Sequence, residues 1–282
     1  MRLSRWLALL AAVLMPAAIA ATEPIRLVSL APHLTELAFS AGAGDRVIAT
    51  VEFSDYPEAA RRIPRIGDAF RIDYERLLAL RPDAVLVWQS GTPIQTIERV
   101  RALGFKVIEI AIHRLDEIPA ALRTIGRLAG TEAVAEEAAK QFEREIAELR
   151  ARYTDRERLS VFVQINDRPL YTVNGEHIIS EVLELCGGRN VFASLSELAP
   201  AIGIEAVIAA SPQVILATDR AVADPAQAWA RWRSIPAVRN GNVYTVRADD
   251  IARSTTRLSQ GARQVCRMLD TARQRLGLSV NR

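Results

Sequence analysis

Two stretches of this 282-residue chain, 130 positions apart, carry the same pattern. When residues 72–86 are laid over 202–216, Glu75 meets Glu205, Ala79 meets Ala209 and Pro82 meets Pro212. An apolar run follows the proline in each copy. Proline cannot continue a helix, so each copy reads as a short helix, a stop and a strand. A duplicated unit of this kind predicts two similar lobes with a cleft between them and one acidic residue at the same place on each.

Strand and helix patterns alternate on both sides of that repeat. In the first half, strands are predicted at 26–30, 47–51, 84–88 and 106–110. Helices fall between them, at 34–41, 75–80 and 94–103, and a further one at 116–129. Such alternation implies a mainly parallel sheet covered on both faces. Residues 131–153 contain no Gly or Pro and are rich in Ala, Glu, Arg and Leu, all good helix formers. At 1.5 Å per residue this helix would span roughly 34 Å, and it would act as a stiff connector that allows only small lobe movements. The second half alternates again, with strands at 160–165, 214–217 and 243–246. Its helices are predicted at 178–185, which Gly187-Gly188 ends, at 205–210, at 225–232 and at 257–276. The expected fold is α/β, with an N-terminal lobe at 24–130, a connecting helix at 131–154 and a C-terminal lobe at 159–282.

Residues 1–20 have the three parts of an export signal: Arg2 and Arg5, the apolar run 6–15, and the small-residue site Ala18-Ile19-Ala20. The apolar run is short for a membrane span of about 20 residues. The formal charge of +3 falls to +1 once the two signal arginines are subtracted, which gives no electrostatic case for a nucleic-acid partner. Cys186 and Cys266 are the only cysteines. In an oxidising compartment two cysteines are expected to pair; the alternative is two buried thiols, and neither reading makes them catalytic or metal-binding. Glu75 and Glu205, each in the first turn of a helix, either complement the helix dipole or serve as contacts for a partner.

Several motifs together resemble a known family. They are Ser29-Leu30-Ala31-Pro32-His33-Leu34-Thr35-Glu36-Leu37, Ser54-Asp55-Tyr56-Pro57, the stretch 75–83, Ala102-Leu103-Gly104-Phe105-Lys106-Val107, and 181–190 with Cys186-Gly187-Gly188. From about Ile25 onward the chain is similar to the periplasmic substrate-binding proteins of ABC importers, most of all to their cobalamin-binding type. The resemblance implies a bilobed receptor in the periplasm that captures cobalamin or a related corrinoid and delivers it to an inner-membrane permease dimer with its ATPase subunits. It also implies that Glu75 and Glu205 dock on that permease, that Cys186 and Cys266 form a disulfide, and that the protein works as a monomer. By the same resemblance Tyr56, Phe70, Trp88 and Tyr171 lie at aromatic positions of the ligand site, and Arg253 at a polar one. Where this chain has Ala199, Asp250 and Ile251 the cobalamin type carries bulky aromatics, which implies a thinner or more polar second-lobe wall.

The residues support such a site independently. Loops at the carboxyl ends of parallel strands are where α/β ligands sit, and these residues fall there. A large flat ring needs aromatic faces and a few polar groups around its rim. Ferric siderophore and haem binders are relatives of the type and stand as alternatives. A zinc receptor using His33, His113 and His177 with Asp249 or Asp250 is another. No Gly-x-Ser-x-Gly elbow, His-Glu-x-x-His helix or Gly-x-x-x-x-Gly-Lys loop is present, so no enzyme, catalytic residue or resident cofactor is expected.

Overall fold

The computed structural model describes residues 23–68 and 70–278. The predicted export signal lies outside the described residues. The first lobe runs β1 (Leu27–Ser29), α1 (Pro32–Ser40), β2 (Val47–Ala49), α2 (Tyr74–Leu80), β3 (Ala84–Trp88), α3 (Ile94–Ala102), β4 (Val107–Ile110) and α4 (Glu117–Ala129). The connecting helix is α5 (Glu132–Tyr153). The second lobe runs β5 (Leu159–Gln164), α6 (Ile178–Leu185), β6 (Gly188–Asn190), α7 (Ile204–Ala210), β7 (Val214–Thr218), α8 (Pro225–Trp229), α9 (Pro236–Arg239), β8 (Val243–Val246), α10 (Ala248–Ile251) and α11 (Leu258–Arg275).

Each lobe holds one four-stranded sheet, in the orders β2-β1-β3-β4 and β6-β5-β7-β8, and every pairing is parallel. The repeated unit occupies the third place in both sheets. Its helices end alike: Arg81 and Ser211 take left-handed backbone at φ 45° and 48°, just before Pro82 and Pro212. Leu77 and Val207 anchor the two short helices at 0% exposure.

Strand alternation sorts the core into layers. Leu27, Ala84, Leu86, Leu159, Val161, Val163, Val214 and Leu216 point to a single cluster that runs unbroken through both lobes and takes in α5 and α11. Val28, Val85 and Val87 face an outer cluster with α2 and α3, while Phe162 and Ile215 face another with α7, α8 and α9. α5 packs against α4, α1, α6 and α11, so it is a shared wall as well as a link. That common apolar layer joins the two lobes through one core.

Cys186, at the end of α6, is bonded to Cys266 in α11, and both are fully buried. Some boundaries depart from the sequence reading. Gly187, at φ 71°, ends α6 as predicted, but Gly188 opens β6, an edge strand too short and polar to show as an apolar run. α8 stops at Trp229 rather than running to 232, because Trp232 turns back to the Trp229 carbonyl in an i+3 bond. The short helices α9 and α10 were also missed, each being a single turn of four residues. Among the described residues no helix is long and apolar enough to cross a membrane.

Candidate functional site

The carboxyl ends of the two sheets face one another, as the contacts between their loops establish. Arg253, just beyond α10, donates from Nη1 to Asp55 Oδ1 at 2.9 Å and from Nη2 to the Phe53 carbonyl at 3.3 Å, both in the loop after β2. Its Nε lies 3.0 Å from Asp249, which also accepts from Arg220 at 2.7 Å. Two guanidinium groups and two carboxylates therefore balance across the gap. Burial works to raise the Asp55 carboxyl, but the hydrogen bond and charge of Arg253 outweigh it and hold the group below its usual range.

A second cross-lobe contact lies deeper. Glu36 in α1 is 1% exposed and accepts from Arg257 through both oxygens, each at 2.7 Å. Thr255 donates to the same carboxylate at 2.6 Å. Arg257 Nη1 also reaches Asp250 at 3.2 Å, and Arg247 grips Asp250 with two bonds of 2.8 Å. Asp250 thus points into this network and Ile251 into the core at 0% exposure. The expected polar second-lobe wall does not arise from these two side chains, since pairing and burial turn both away from solvent.

Tyr56 stands over the Arg257 guanidinium, 4.1 Å from ring centroid to charge, and keeps 45% of its surface exposed. Its loop is tied down by buried hydroxyls: Thr35 and Thr50 are 2.6 Å apart, and Thr50 donates to Ser54 at 2.8 Å. Arg65 adds a 2.7 Å bond to the Ser54 carbonyl. Trp88 ends β3 and is partly buried against the main core. A Cβ on Gly91 would fall 2.0 Å from the indole, so only glycine lets this turn fold over it. Phe70 is 80% exposed on a turn that Asp68 holds by accepting from the Phe70 and Arg71 amides. Tyr171 follows β5, half-buried, paired to Asn166 and to Ala201 by isolated bridges.

The structure thus brings Tyr56 and Arg253 to one place and leaves Phe70, Trp88 and Tyr171 on separate loops. Among the described residues no stacking contact joins these four aromatics, and none is sunk in a closed interior. A cavity of about 260 Å³ lies beside Tyr56, between Ser40, Gln141 and Phe142 on one side and Thr256 and Arg257 on the other. It is small for a macrocycle, against roughly 300–1,000 Å³ for ordinary ligand sites.

Glu75 and Glu205 are both exposed, in the first turns of α2 and α7, at matching places on the outer faces. The zinc alternative finds no support in the geometry. Among the described residues no group of three or more His, Cys, Asp and Glu side chains converges. His33 lies edge-on to Trp88, whereas His177 caps α6 by accepting from the Ile179 amide.

Glu36, Asp55 and Arg257 were missed by the sequence reading. Glu36 left a signal, being a carboxylate among the apolar positions of α1; its partner, 221 residues away, left none.

A model of the family described as periplasmic binding protein matches residues 27–249. A vitamin B12-binding protein of Vibrio parahaemolyticus is 34% identical over 257 residues, which cover 90% of this chain and 93% of the relative. The crystal structure of the periplasmic vitamin B12 binding protein BtuF of Vibrio cholerae superposes with a TM-score of 0.83 at 34% identity, covering 89% of this chain and 98% of that one. The periplasmic heme-binding protein RhuT of Roseiflexus sp. RS-1, at 23% identity and a TM-score of 0.78, shares the fold over 88% of this chain and 99% of its own.

Proposed function

We propose that this chain, which belongs to the periplasmic binding protein family, captures cobalamin or a related corrinoid between its lobes and hands it to an ABC importer. The relatives that share a third of its residues over nearly their whole length support the ligand class. The observation that carries the reading is the balanced charge at the cleft. Arg253 and Arg220 are offset by Asp55 and Asp249, so neither of these two guanidiniums is left over for an anionic ligand. Haem brings two propionates and a ferric catecholate siderophore several negative charges, and both need surplus donors of positive charge. A corrin ring with neutral carboxamide arms needs aromatic faces and neutral hydrogen bonds instead. Tyr56, Phe70, Trp88 and Tyr171 supply the faces, and Arg253 a polar contact.

Calorimetry with cyanocobalamin, haemin, a ferric catecholate siderophore and zinc tests this directly. One-to-one binding of cyanocobalamin at micromolar affinity or better is expected, without turnover. A response to haemin or the siderophore alone would sink the corrinoid reading.

In this proposal residues 1–20 direct export and the mature protein works as a monomer in the periplasm. Glu75 and Glu205 dock on a permease dimer that carries ATPase subunits. Charged contacts of this exposed kind govern encounter and orientation more than affinity. Changing both to Ala is expected to lower uptake by about tenfold while the calorimetric affinity stays within about twofold. Parallel loss of uptake and affinity would remove the docking role.

A further inference from the structure

His33 is the second residue of α1, placed just past the carboxyl end of β1. It is 8% exposed, and its ring stands edge-on to Trp88 with centroids 5.0 Å apart and planes at 83°. Apart from that ring contact it feels only the charge of Arg253, which reaches it from the other lobe. Among the described residues no hydrogen bond or ion pair engages either ring nitrogen. Neither nitrogen is among the described buried polar atoms that lack a partner, so both keep some contact with solvent and stay open to a ligand. His177 shows the ordinary case, its Nδ1 accepting from a backbone amide at 3.2 Å.

The surroundings of His33 point to the ligand. Trp88, which it meets edge to face, and Arg253, whose charge reaches it, both belong to the proposed ligand site. We propose that His33 is a ligand-binding residue whose neutral imidazole hydrogen-bonds a carboxamide arm of the bound corrinoid. The inference rests on the corrinoid reading given above and adds a residue to it. A neutral imidazole carries one donor and one acceptor, and a carboxamide offers both complements. Burial, helped by the Arg253 charge, holds the group at a pKa of about 4, so it is neutral under ordinary conditions. A carboxylate arm would match only the donor. His33 therefore favours amide-rimmed ligands over acid-rimmed ones.

The test titrates cyanocobalamin into the wild type, His33→Ala and His33→Asn at pH 7, with melting of each unliganded protein alongside. His33→Ala is expected to bind about fivefold more weakly, the loss of one neutral hydrogen bond. His33→Asn, which keeps a donor and an acceptor, should stay within about twofold. A purely structural residue would move the melting point without that split in affinity. Nitrogen-15 imidazole resonances of the wild type give a second readout that requires no variant, and those of His33 should shift at saturation. Unchanged affinity in His33→Ala, or resonances that do not move, overturns the inference while the corrinoid reading stands. A wild type that binds no cyanocobalamin overturns both.

Discussion

Replacing Glu36 with Ala is expected to lower the unfolding free energy by about 3 kcal/mol, the lower end for breaking one half of a buried ion pair. The carboxylate accepts three hydrogen bonds, two from Arg257 and one from Thr255, and all three donors are buried. Removing it leaves the Arg257 guanidinium, 7% exposed, with the 3.2 Å contact to Asp250 and the face of Tyr56 as compensation. Urea unfolding of the variant measures the loss. Glu36→Gln, which keeps the shape and one acceptor, should lose less. The double change Glu36→Leu with Arg257→Met separates charge from structure, because a well-packed apolar pair can match a buried ion pair. It should recover most of the stability and still weaken ligand binding, since Tyr56 loses the guanidinium on which it stands at 4.1 Å. A loss below about 1 kcal/mol for Glu36→Ala would mean that the lobes are not joined at this point.

The contrast between Glu75 and Glu36 explains what the chain discloses before it is folded. The unit around Glu75 repeats, and its helix, stop and strand are set by local chemistry: Pro82 and Pro212 end helices, and an unbroken apolar run follows each. The two sheets, the linking helix and the disulfide-bearing helices follow the same local signals and were legible. β6 was not, because Gly188-Arg189-Asn190 has no apolar alternation and is held only by pairing with β5. The cleft was half legible. Tyr56 and Trp88 could be placed on strand-end loops, since a loop position is local. The partner of Arg253 is 198 residues away and that of Glu36 is 221 away, and such pairs exist only once the sheets face each other. The outcome at Asp250 makes the same point: a carboxylate on a predicted loop turned inward because Arg247 and Arg257 meet it there.

Acid is expected to destabilise the protein well before its carboxylates titrate. Burial, with the Arg253 charge, lowers His33 from 6.5 to about 4 in the folded state, and burial alone brings His177 to about 4. A base whose folded pKa lies below its unfolded one binds more protons when unfolded, so stability falls as pH falls. The contribution is intact above pH 6.5, declines through the interval down to about 4, and is gone below it. For His33 the full loss is about 3 kcal/mol, taking 1.36 kcal/mol per unit. His177 adds a smaller loss because it is only half-buried; once protonated at Nδ1 it can no longer accept from the Ile179 amide at the head of α6. Two carboxylates work at the margins of this window. Glu181, raised by burial, opposes the trend slightly, and Asp55, held low mainly by Arg253 against its burial, adds its own loss only at still lower pH. Unfolding free energies measured between pH 7.5 and 4 should therefore slope downward from about 6.5, and His33→Gln with His177→Gln should flatten that slope. An equally steep slope in the double variant would assign the acid sensitivity to other groups.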